Sequence, residues 1–221
     1  MASAAATQTS ASAHPAWERR TGDVVAILAG LSVLVACGLI ARDGEVGPLE
    51  AGAFHVVNGL PEALTPLMRG AQFLGVLVVG PIVALGALVL RRYRLALAAL
   101  IVTGAKLASE RVVWMFVVRS RPGTSIVDAV VRGGTPTSGQ SFVSGHVVLV
   151  TGLAWVITPY LRGRWRIVPG AIAALVAFAR LYLGAHAPLD VLGGAALGTA
   201  ISGAVNLIVG VPLSAAAEPA P

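Results

Sequence analysis

The chain is written in long apolar runs separated by short polar breaks. Six runs come close to the roughly 20 residues a bilayer crossing requires. They are Val24–Ala41, Ala71–Leu90, Leu95–Val118, Gly145–Leu161, Ile167–Leu183 and Leu189–Val211. The runs are too long for strands and lack period-two alternation, so the reading is all-α. Pro48–Leu60 differs: Leu49, Phe54 and Val57 recur at helical spacing among polar residues, behind a proline suited to a first helical turn. It predicts a short helix lying at the membrane interface. Residues 1–17 are rich in Ala, Ser and Thr without period, and 214–221 read alike, so both are expected to be flexible tails. The expected architecture is a polytopic membrane domain over 18–213, with six transmembrane helices in one bundle.

Composition narrows the class further. The 221 residues are 56% hydrophobic and 12% charged, and the mean hydropathy is +0.82. Soluble domains carry about a quarter charged residues, so a soluble protein is excluded. The net charge of +6 is almost all arginine, Lys106 being the one lysine. Arginines placed between apolar runs read as topology anchors and not as a nucleic-acid surface. One cysteine, Cys37, excludes an internal disulfide and a cysteine metal site. Its LVAC setting behind Arg19 and Arg20 resembles a lipoprotein signal, but the apolar run continues through Leu39 and Ile40, as in a plain spanning helix.

The loops set an orientation. Arg91, Arg92 and Arg94 fill one loop, Arg162, Arg164 and Arg166 another, and neither holds an acid. Both are expected to be cytoplasmic, with both termini. The loop after the first run carries Asp43, Glu45, Glu50 and Glu62 and is expected outside. The other outward loop breaks the charge rule with Arg119, Arg121 and Arg132, and anion binding is the natural explanation.

The unusual polar residues fall at the outward ends of the runs: Arg121-Pro122, Ser144-Gly145-His146, Arg180, His186 and Asp190. Polar groups distant in sequence that meet at one membrane depth make a site. Pro188 suits a helix start. His186 and Asp190, four apart, then share a face, where the carboxylate can take the Nδ1 proton and leave Nε2 as a nucleophile. Ser144-Gly145-His146 opens a helix, whose free N–H groups favour an anion, and Gly145 permits close approach. No carboxylate cluster suggests a metal site.

These residues resemble the type 2 phosphatidic acid phosphatase family, membrane relatives of the vanadium haloperoxidases. The family's motifs are K-x6-R-P, P-S-G-H and S-R-x5-H-x3-D. The chain reads W-MFVVRS-RP (Trp114 to Pro122), VSGH (Val143 to His146) and AR-LYLGA-H-APL-D (Ala179 to Asp190). The resemblance covers about Leu95 to Val211. It implies a metal-independent phosphatase without a cofactor, acting on a lipid phosphate or diphosphate. His186 would form a phosphohistidine, Asp190 would fix its tautomer, and His146 would protonate the leaving oxygen. Arg121, Arg180, Ser144 and the Gly145 N–H would hold the phosphate oxygens. The family lysine is replaced by Trp114. Arg111, one turn earlier, and Arg119 are the candidate substitutes; Lys106, two turns below, is the more remote one, and Glu110 is expected to pair with Lys106 or Arg111.

By analogy with the family, the implied setting is a bacterial-type inner membrane with the site outward. The implied partners are membrane lipids and a lipid carrier or phospholipid substrate. Three positions depart from the motifs, Trp114, Val143 and Ala179, and the first two keep open a non-catalytic relative that binds head groups or a partner. Gly193, Gly194 and Gly198 are expected in close helix packing. Gly133, Gly134 and Gly139 loosen a loop that could cover the site.

Overall fold

A computed structural model describes residues 17–213. Apart from Trp17, the two expected tails fall outside the described residues. Nine α-helices are present among those residues: α1 Thr21–Ala41, α2 Pro48–Asn58, α3 Thr65–Gln72, α4 Val79–Val89, α5 Tyr93–Trp114, α6 Pro122–Ser125, α7 Gly145–Ile157, α8 Val168–Tyr182 and α9 Pro188–Val209. Two-residue strands, β1 (Trp17–Glu18) and β2 (Val211–Pro212), pair antiparallel.

The α9 helix is the axis of the bundle. Its sequence is rich in Gly, Ala and Ser, so neighbouring backbones come unusually close, as small residues allow between membrane helices. A Cβ on Gly194 would stand 2.8 Å from the Ser144 carbonyl, and one on Gly198 2.5 Å from the Val148 carbonyl of α7. On the other flank, a Cβ on Gly203 would lie 2.7 Å from the Asp23 carbonyl of α1. The expected glycine packing is therefore real and two-sided. By contrast, α1 turns Val25, Leu28, Val35 and Leu39 outward, exposed on the bundle surface. Alanines 84, 87, 96, 98 and 99, with Val102, Leu149 and Leu153, build a core between α4, α5 and α7.

Among the described residues, three helices are long and apolar enough to cross a membrane: Thr21–Ala41, Pro188–Val209, and α8 together with the 3-10 turn before it, Gly163–Tyr182. A bent pair, Glu62–Gly75 with Val79–Val89, passes the same test when its two helices are taken together as one broken span. By length and composition the described helices thus give three or four of the six crossings expected. The run Ala71–Leu90 is broken and bends by 64°. The break seats Gly75 against His146, where a Cβ would come within 2.8 Å of the histidine Cβ. The third run stops as helix at Trp114, short of Val118, and carries Arg94, Lys106, Glu110 and Arg111 within its 22 residues. The fourth, α7, is apolar but short. The α2 helix forms over Pro48–Asn58 as its spacing predicts, with proline in the first turn.

The two basic loops and the two ends of the described chain gather at one end of the bundle. Arg94 donates to the Val209 carbonyl at 2.5 Å and stacks 4.3 Å from the Trp17 ring. Arg92 lies 5.4 Å from the Tyr160 ring, and Arg19 donates to Leu207 O at 2.8 Å. The starts of α7 and α9 lie at the opposite end, about 30 Å away for a 22-residue helix at 1.5 Å per residue.

Candidate active site

At that opposite end the chain leaves three helix-flanking segments in register. Residues 116–121 follow α5, Ser144 caps α7, and the turn Leu183–Ala187 joins α8 to α9. Pro188 begins α9, and the side chain of Asp190 turns back so that the Ala187 N–H donates to Oδ2 at 2.8 Å. The Ser144 N–H donates to the Asp190 carbonyl at 2.9 Å. That bond ties the start of α7 to the start of α9.

Between them opens a cavity of about 390 Å³. His146, His186, Arg121, Arg180 and Gly145 line it, with Lys106, Glu110, Trp114 and Gln72. The loop holding Gly134, Thr135, Pro136 and Gln140 covers one side, so the glycine-rich segment does face the site. The structure thus brings both histidines and both motif arginines to one space.

His186 is 3% exposed. Its Nδ1 lies 2.9 Å from the Ser141 carbonyl, which accepts only from an N–H. Nε2 is left with its lone pair free. Asp190 stands farther off than expected: Oδ2 is 3.8 Å from Nδ1, an electrostatic contact and not a hydrogen bond. The serine carbonyl takes the orienting role assigned to Asp190 by spacing. Asp190 instead accepts from the Ser141 hydroxyl at 2.5 Å and from Arg119 Nη1 at 3.0 Å. Burial holds the His186 imidazole down at about 4, helped by the positive charge of Arg180 and opposed by Asp190.

Polar atoms left without partners mark the place for a ligand, because an unsatisfied buried group costs about 1–3 kcal/mol. Among the described residues, Ser144 Oγ and the Nε atoms of Arg119, Arg121, Arg132 and Arg180 are buried and unpartnered, and of these arginines only Arg121 and Arg180 line the cavity. Arg180 is otherwise held by the Gln72 side chain at 2.5 Å, and Arg121 by the Ala185 carbonyl at 3.0 Å. Burial lowers the Arg121 guanidinium from its ordinary value, against the pull of Asp190.

The other two outward arginines serve the fold. Arg119 is 1% exposed and does not line the cavity. It donates to Asp190, to both oxygens of Glu50, and to the Glu45 carbonyl at 3.0 Å. Burial disfavours its charge, but Glu50 and Asp190 outweigh that and raise its pKa. Arg132 donates to Tyr182 O at 2.7 Å and Leu60 O at 3.1 Å, with its guanidinium 4.2 Å from the Tyr182 ring. The anion-binding explanation therefore fits Arg121 alone.

Arg111 is also displaced from its expected place: it is exposed and absent from the cavity wall. Lys106, Glu110 and Trp114 line the wall instead, at i, i+4 and i+8 on one helical stripe. Arg111 falls off that stripe. Sequence reasoning missed Ser141 and Glu50. Ser141 lies three residues before the Ser144-Gly145-His146 motif, with only its polar type as a signal, and Glu50 is visible only as one loop acid among several.

Comparison with known proteins follows the same outline. The sequence profile described as the PAP2 superfamily matches residues 93–211. The crystal structure of Aquifex aeolicus LpxE is similar at 23% identity, covering 74% of this chain and 98% of that one, with a TM-score of 0.63. The crystal structure of the first transmembrane PAP2-type phosphatidylglycerolphosphate phosphatase from Bacillus subtilis is similar at 25% identity, covering 83% and 94%, with a TM-score of 0.62. No curated protein matches the chain.

Proposed function

Because the chain belongs to the PAP2 superfamily, we propose that it is a membrane lipid phosphatase that cleaves a phosphate ester through a phosphohistidine. The observation that carries the reading is the cavity shared by His146 and His186, walled by Arg121 and Arg180 whose Nε atoms lack partners. A phosphoryl group supplies the missing acceptors.

The steps use only this chain's groups. His186 Nε2 attacks phosphorus while its Nδ1–H stays on the Ser141 carbonyl. A P–N bond forms as the P–O ester bond breaks, and His146 delivers a proton to the departing alcohol oxygen. Water then attacks the phosphohistidine, His146 takes the water's proton, and orthophosphate leaves with His186 restored. Asp190, held by Arg119 and Ser141, balances the imidazolium charge that builds at His186. Arg121, Arg180, Ser144 and the Gly145 N–H stabilise the equatorial oxygens. The reaction needs no metal.

The basic end supports a cytoplasmic placement and leaves the site on the outer face of a bacterial-type inner membrane. A lipid carrier phosphate or a phospholipid phosphate suits that position. Phosphate release from a panel of lipid phosphates, with chelator present, tests the reading on the purified full chain. Turnover by the wild type and none by His186→Ala or His146→Ala is expected. Equal turnover in His186→Ala refutes the nucleophile. No turnover on any lipid phosphate favours a head-group-binding role.

A further inference from the structure

The cavity holds a carboxylate where an anion is supposed to bind. Glu110 is 6% exposed and lines the wall. Its Oε1 sits against the bare face of Gly145: a Cβ there would overlap that oxygen and come 3.0 Å from Lys106 Cε. The space that the missing glycine side chain leaves is therefore filled by Glu110, beside the N-terminus of α7. Lys106 Nζ is 2.8 Å from Glu110 Oε2, and both side chains are largely buried.

An anion in an anion site is unfavourable unless it does something there. Lys106, Arg121 and Arg180 are the cations on this wall, and Glu110 is the carboxylate among them. In the resting site both imidazoles are neutral, and three cations and one carboxylate leave a net charge of +2; the proton that His146 delivers is taken up only when substrate binds. That net charge balances a phosphomonoester dianion. A lipid diphosphate brings a further negative charge into a confined space where charges are weakly screened. Asp190 and Glu50 do not relieve this, because Arg119 already engages both.

We infer that Glu110, clamped on Lys106, is a specificity-determining residue that fits the site to single-phosphate head groups and against diphosphates. The inference deepens the phosphatase reading and rests on it for the chemistry of the substrate. Lys106 stands in for the lysine that the motif lacks at Trp114, and Glu110 cancels its charge. The site therefore has a cation in reach without a surplus.

Calorimetric titration of the detergent-purified full chain with orthophosphate and with pyrophosphate, at fixed pH and ionic strength, tests this without turnover. The wild type should bind orthophosphate more tightly. Glu110→Gln keeps the shape, removes the charge and frees Lys106. It should move the pyrophosphate-to-orthophosphate affinity ratio toward pyrophosphate by on the order of tenfold. The double variant Lys106→Met with Glu110→Gln restores the net charge and should return the ratio to within about threefold of wild type. An unchanged ratio in Glu110→Gln overturns the inference, as does wild-type preference for pyrophosphate or failure to bind either anion. Expected binding ratios together with no lipid phosphate turnover would instead remove the phosphatase reading and leave the charge discrimination standing.

Discussion

Asp23 and Asp190 are buried carboxylates at opposite ends of the bundle, and the two are handled in opposite ways. Asp23, in the first turn of α1, accepts from Arg20 at 3.0 and 3.1 Å, from Trp155 Nε1 at 3.0 Å and from Asn206 Nδ2 at 2.9 Å. Its donors come from Arg20 just before α1, from α7 and from α9, so its bonds are met within the protein. Asp190, at the start of α9, is as well hydrogen-bonded, but its neighbourhood is not closed. Ser144 Oγ, Arg121 Nε and Arg180 Nε are buried there without partners. A closed network fastens helices together, whereas an open one keeps bonding capacity for something that arrives from outside.

Substitutions at the two ends should therefore separate activity from stability. The largest effect expected is at the open end. His186→Ala should lower kcat by about 10⁴-fold or more, as removal of a covalent nucleophile does, while thermal unfolding in detergent is little changed. A variant that unfolds early would make His186 a structural residue. Next, Arg180→Leu should cost about 10²–10³-fold in kcat/KM, the scale for loss of one group that stabilises developing charge. Loss in KM alone would show that the guanidinium binds the substrate and transition state equally.

At the closed end the order reverses. Asp23→Leu strands Arg20, Trp155 and Asn206, and should destabilise the protein by about 1–3 kcal/mol with kcat within about twofold of wild type. A large fall in kcat with unchanged stability would show that the two ends are coupled. The smallest expected effect is in the pH dependence. His186 titrates at about 4 in the folded chain against 6.5 ordinarily. The unfolded chain thus binds more protons between those values, and stability rises with pH across that window. The His186 contribution is complete above 6.5 and fades as pH falls toward about 4. Comparing unfolding midpoints of wild type and His186→Ala from pH 7 to 4 should show a shallower slope in the variant.

The open end was the more legible in sequence, because its chemistry uses residue types that are rare in apolar runs. Arg121, Ser144, His146, Arg180, His186 and Asp190 stand out against Leu and Val, and their spacing repeats known motifs. What spacing could not give was which partner each group selects. The Nδ1 partner of His186 is a backbone carbonyl, and a main-chain acceptor carries no residue signature. Arg119 looked as free for phosphate as Arg121 until Glu50, 69 positions away, was seen to engage it. Helix boundaries failed where tertiary packing overrode apolarity, at the bend between α3 and α4 that seats Gly75 on His146. Asp23 reads in sequence as a lone acid beside Arg20. Its role depends on Trp155 and Asn206, 132 and 183 residues away.

The glycine contacts along α9 have a mechanical consequence. The main chain of α9 meets neighbouring main chain at Gly194 and Gly198 on one flank and at Gly203 on the other, where the nearest atom is a backbone carbonyl oxygen in each case. Such joints transmit tilt but do not stretch. The elbow after α3 has no such bearing on α9, and it carries Gln72, Phe73 and Val76 in the cavity wall. Because the same elbow seats Gly75 on His146, a change in lipid thickness that moves it reaches the cavity wall and one of the two imidazoles together.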